Sequence, residues 1–70
     1  MNIRDIRRYM LNKKGSKIVI KYFGSRNKIE RYVGVLDKIY LNIFTIKLLT
    51  GDVKSFSYSD ILTKTIQIYI

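Results

Sequence analysis

The chain has 70 residues and a formal charge of +9, from 14 Lys and Arg against 5 Asp and Glu, with no His, Cys, Pro or Trp. A domain this short removes only about 60% of its unfolded surface from water, so a large core is excluded. The missing Cys excludes a disulfide framework and a thiolate metal site, and the missing His and Cys remove the commonest general base and the thiol nucleophile.

The five carboxylates, Asp5, Glu30, Asp37, Asp52 and Asp60, are isolated in sequence, and no phosphate-binding glycine loop is present. The expectation is a protein without enzyme chemistry, cofactor, metal or small-molecule substrate. The opening Met1-Asn2-Ile3-Arg4-Asp5 shows charge instead of an apolar run, so the reading is a soluble, cytoplasmic protein with no membrane partner.

The apolar 47% is made of Ile, Leu, Val, Tyr, Phe and Met without Ala, mostly residue types that suit pleated sheets. Charge is uneven along the chain. Residues 1–35 carry ten basic and two acidic side chains (+8), whereas residues 36–70 carry four and three (+1). An AT-rich genome would inflate Lys and Ile everywhere, and it does not explain that asymmetry.

Residues 2–12 read as a short helix with Asn2 as N-cap, since Ile3, Ile6 and Met10 form an apolar stripe. Lys13-Lys14-Gly15 supplies the stop. From Lys17 the period becomes two, with Ile18, Ile20 and Tyr22 alternating with Val19, Lys21 and Phe23, and Gly24 to Lys28 ends this strand. A second strand is expected from Ile29 to about Tyr40, with Gly34 marking a bulge or bend.

Phe44 to Leu49 forms a third strand with Phe44, Ile46 and Leu48 on one face. Thr50-Gly51-Asp52 turns it into a fourth, Val53 to Tyr58. Ser57 to Leu62 suggests one 3₁₀ turn, and Thr65 to Ile70 a last strand. The expected architecture is mainly β: one domain over 1–70, with a basic helix in 1–14 and a five-stranded SH3-like or Sm-like barrel in 17–70. An OB-fold is the competitor, and the short Thr50-Gly51-Asp52 connection leaves no room for its helix.

Two cationic clusters are the candidate binding residues. One is Arg4, Arg7, Arg8, Lys13 and Lys14 around the helix, and the other is Arg26, Lys28 and Arg31 around the first hairpin. Several cations on one surface suit a polyanion, because each phosphate contact releases counterions, and Arg binds phosphate bidentately. The expected partner is nucleic acid, RNA or DNA, or a nucleoprotein complex. Phe44, Phe56 and Tyr58 are assigned to the core, and Tyr32 and Tyr69 are expected to be the exposed aromatics.

The segments Lys28-Ile29-Glu30-Arg31, Gly34-Val35-Leu36, Tyr40, Phe44 and Ser57-Tyr58-Ser59-Asp60-Ile61-Leu62-Thr63-Lys64-Thr65-Ile66 resemble the Veg family of small Gram-positive bacterial proteins. That family shows an IER-x-GVL stretch and a closing SYSYADVLTETV motif. The resemblance implies a short helix leading into an SH3-like barrel, in a cytoplasmic protein that stimulates biofilm formation. It also implies action on transcription by docking on a DNA-binding repressor, so a transcription regulator is the alternative partner. Leu41 stands where the family has Pro, and the turn at Gly51-Asp52 is shorter.

Overall fold

A computed structural model describes residues 2–24 and 28–70. The element order is α1 (Ile3–Asn12), β1 (Lys17–Phe23), β2 (Ile29–Ile39), β3 (Ile43–Leu48), β4 (Val53–Ser57), α2 (Tyr58–Leu62) and β5 (Ile66–Tyr69). The five strands form one antiparallel sheet in the order β4-β3-β2-β1-β5.

Helix α1 starts where Asn2 Oδ1 accepts the Asp5 backbone N–H at 2.9 Å, satisfying one of the donors every helix N-terminus leaves unpaired. Asp5 in the first turn also suits the positive end of the helix dipole. Ile6 and Met10, one turn apart, are the residues it buries. The helix stops at Lys13, and Gly15 takes a φ of +87° that a side chain rarely adopts. The chain is then stitched to β2, with Gly15 donating to Leu36 O at 2.8 Å and Leu36 donating to Ser16 O at 3.0 Å.

One face of the sheet is the core. Ile18, Ile20, Leu36, Phe44, Ile46, Phe56 and Ile66 come from the strands, and Ile6, Met10 and Tyr58 from the helices. Through it runs an aromatic series: Tyr32 lies 5.7 Å from Phe56, Phe56 lies 5.9 Å from Phe44, and Phe44 lies 5.6 Å from Tyr58, centroid to centroid. The Tyr58 hydroxyl, inside this core, donates to the Tyr40 carbonyl at 2.7 Å, which meets the need of a buried polar group for a partner. Burial pushes the Tyr58 phenol above its ordinary ionisation range, and nearby Arg7 pulls it the other way.

The expected closed barrel is not formed: β4 and β5 are the two free edges of an open sheet. The physical reason is what lies between them. Helices α1 and α2 pack on the core face, and Ile6, Met10, Tyr58 and Ile61 close the core that strand-to-strand pairing would close in a barrel. The Cα extents of 32 × 29 × 17 Å fit one sheet with a single layer of helix.

Two smaller expectations are also corrected. The segment after β4 is a five-residue α-helix instead of a 3₁₀ turn: the Thr63 N–H donates to Ser59 O four residues back at 2.9 Å, and the Ser57 hydroxyl caps the start by accepting the Ser59 N–H at 3.1 Å. The β-bulge falls between Leu36 and Lys38, where the pairing with β3 slips, and not at Gly34. Gly34 is needed for another reason: a β-carbon there would lie 2.3 Å from the Lys47 carbonyl oxygen, so the β3 backbone approaches its partner β2 at a distance that only glycine permits.

Candidate nucleic-acid interface

The pleat sends alternate side chains to opposite faces, so the pairing registers define the second face of the sheet row by row. Arg31, Lys21 and Gln67 form one cross-strand row. The next is Val33, Val19 and Tyr69. Beyond it come Val53, Lys47, Val35 and Lys17, then Ser55, Thr45 and Lys38. Among the described residues, five cations therefore share this face with one carboxylate, Asp37, which sits unpaired in the bulge between Leu36 and Lys38 and follows Val33 and Val35 at the same two-residue spacing. No helix among the described residues covers it. Val35, Val53 and Tyr69 are 40%, 59% and 49% exposed.

Within the face, Val19, Lys21, Arg31 and Tyr69 line a shallow depression of about 260 Å³. The Tyr69 hydroxyl donates to Gln67 Oε1 at 2.8 Å, which holds the ring along its strand. Lys21 Nζ lies 5.5 Å from the ring centroid, a cation–π distance. Lys21 and Arg31 stand directly opposite each other, a like-charge pairing that disfavours the sheet.

The residues singled out from the sequence are divided between two sides of the molecule. Arg31 is on the open face just described. Arg4, Arg8, Lys13 and Lys14 are exposed in and just after α1, which packs on the opposite, core face. Lys13 Nζ lies 5.9 Å from the Tyr9 ring. Arg7 is half-buried and donates from Nη1 to the Leu41 carbonyl at 3.1 Å, tying α1 to the segment between β2 and β3. Lys28 is exposed just before β2, with its carbonyl accepting from Gly24 N at 2.9 Å. Arg26 lies outside the described residues. The structure thus does not join the helix cluster to Arg31.

Lys17, Lys21, Lys38 and Lys47 were missing from that set, yet they surround Arg31's face. The signal for them was present as period-two spacing: Lys17-x-Val19-x-Lys21 along one strand and Thr45-x-Lys47 along another. Tyr69 is exposed as expected. Tyr32 is not: it is half-buried, donates its hydroxyl to Glu30 Oε2, and carries Lys54 Nζ 4.9 Å above its ring. The hydrogen bond to Glu30 holds the Tyr32 phenol above its ordinary ionisation range, and partial burial adds to this.

On the other side, Ile6, Tyr9, Ile61 and Ile68 line an apolar depression of about 300 Å³ where α1, α2 and β5 meet. No helix among the described residues is long and apolar enough to cross a membrane.

Fold and surface together define a small mainly β protein, an open five-stranded sheet backed by helices and cationic on its bare side. A family model described as Biofilm formation stimulator VEG matches residues 1–69, and the chain belongs to that family. Among curated proteins, no sequence matches this one. The stretches that carried the resemblance mostly build the fold. Gly34 admits β3, Leu36 and Tyr58 are core, and Ser57 caps α2. Arg31 is the one residue of those stretches that contributes a cation to the open face.

Proposed function

We propose that the chain is a non-enzymatic binding protein of the cytoplasm that holds nucleic acid, alone or in a nucleoprotein complex, and serves gene expression in transcription or at the ribosome. The observation that supports this reading is the open sheet face, where Lys17, Lys21, Arg31, Lys38 and Lys47 outnumber the one carboxylate, Asp37. A surface of that kind attracts a polyanion, and its affinity comes from counterion release. The test is binding of labelled RNA and duplex DNA across a salt series. With about five phosphate contacts, affinity for a single strand falls by about a hundredfold between ~50 mM and ~200 mM salt. No binding at the low end contradicts the reading.

A second reading is regulation by protein contact, with a transcriptional repressor or polymerase as the partner. The apolar depression formed by Ile6, Tyr9, Ile61 and Ile68 favours it, since such a recess takes an apolar side chain of a docking protein. Capture from nuclease-treated lysate tests it. A partner that survives digestion supports direct docking, and partners that vanish with the nucleic acid rule it out.

A further inference from the structure

We infer that the open face is a platform for single-stranded nucleic acid, with unpaired bases lying on the Val33-Val19-Tyr69 row and the phosphates held by the cations on either side. This rests on the nucleic-acid reading above and names the form of the ligand.

The face is banded. The apolar row Val33-Val19-Tyr69 lies between a row containing Arg31 and Lys21 and a row containing Lys47 and Lys17. Neighbouring rows on one side of a sheet are two residues apart, about 6.8 Å. Cationic and apolar surface are therefore offered side by side within the span of a nucleotide or two. A duplex offers phosphates to the cations and only base edges in its grooves, so it has no free base face to lay on the apolar row. It would leave Tyr69, Val19 and Val33 facing water or sugar. A single strand uses both, since every base has a π-face to lay on an aromatic ring while its phosphate meets a cation.

Two details fit that ligand. The Tyr69 ring is already held by its hydroxyl bond to Gln67 at 2.8 Å, so little side-chain freedom is lost when a base settles on it. Lys21, 5.5 Å from the ring centroid, and Arg31 across from it are placed to share one phosphate, which neutralises the like-charge pair. Among the described residues, no helix stands on this face to enter a major groove, the usual means of reading a duplex.

The experiment is fluorescence anisotropy on the full chain at low salt, using a labelled oligonucleotide as single-stranded RNA, as single-stranded DNA and as the DNA duplex. Either single strand is expected to bind at least ~tenfold more tightly than the duplex. Tyr69→Ala is expected to weaken single-strand binding by about tenfold and to leave duplex binding unchanged. Tyr69→Phe keeps most of the single-strand affinity. Because Tyr69 is half exposed on an edge strand, Tyr69→Ala folds, which circular dichroism checks. Arg31→Gln provides a second variant that removes a cation and leaves the Lys21–Tyr69 contact in place, and it weakens binding of both strand and duplex. Equal affinity for strand and duplex, or a Tyr69→Ala variant that loses nothing, overturns the platform while leaving nucleic-acid binding standing. Absence of binding to all three ligands overturns both, and leaves the face to a protein.

Discussion

Lys21 on β1 and Arg31 on β2 are directly opposed in the sheet, with the backbone spacing of such pairs, about 4.5–5.5 Å between Cα atoms, bringing two cations together on an uncovered face. Stability alone would place opposite charges there. Arg31→Gln, which relieves the pair and keeps Lys21 beside the Tyr69 ring, is therefore expected to stabilise the fold by ~0.2–0.5 kcal/mol at low salt while weakening nucleic-acid binding. At ~1 M salt, where the Debye length is about 3 Å, the stability gain disappears. Urea unfolding of both proteins at two salt concentrations checks it, and a loss of stability in the variant contradicts it.

Gly34 is the position most sensitive to a single methyl group. The clash of its would-be β-carbon is with the Lys47 backbone, which cannot rotate away as a side chain would. Gly34→Ala is expected to cost ~2–4 kcal/mol by forcing β2 and β3 apart, seen as a lower urea midpoint. Gly51→Ala meets no neighbouring atom and costs less, ~1 kcal/mol, through its φ of +94° alone. Equal effects at the two sites would refute the close-approach argument.

Tyr58→Phe removes the hydroxyl that bonds the Tyr40 carbonyl and is expected to cost ~1 kcal/mol near neutral pH. The phenols of Tyr58 and Tyr32 are both raised above their ordinary value near 10 in the folded chain. A group whose folded ionisation is raised contributes stability that is complete below its unfolded value and is lost as pH climbs through the folded one. The protein is therefore expected to lose thermal stability from about pH 10 upward. Tyr58→Phe loses less over that interval. Parallel alkaline slopes for the two proteins would contradict this assignment.

Most of the strands, the first helix and the core were legible in the sequence because they rest on periodicity. Ile6 and Met10 follow a helical period, while Ile18 and Ile20, and Phe44 and Ile46, follow an alternation of two, and both patterns are direct consequences of backbone geometry. Closure of the sheet was not legible. Whether β4 meets β5 depends on how α1 and α2 fill the core side, a property of volumes summed over the whole chain. The proposed binding surface was only partly legible, for a related reason. Linear clustering drew the eye to Arg4, Arg7 and Arg8, yet Arg7 is engaged with Leu41 O. Cations brought together by strand pairing, such as Lys17, Arg31 and Lys47, are far apart in the chain and meet only through the register.

The register also sets the decisive comparison, between two double charge reversals that lower the formal charge equally, from +9 to +5: Lys21→Glu with Arg31→Glu on the open face, and Arg4→Glu with Arg8→Glu on the helix. The measurement is affinity for a labelled single-stranded oligonucleotide at low salt. The open-face variant is expected to lose at least ~tenfold more affinity than the helix variant. Equal losses, or a larger loss from the helix pair, would contradict the open face as the binding surface.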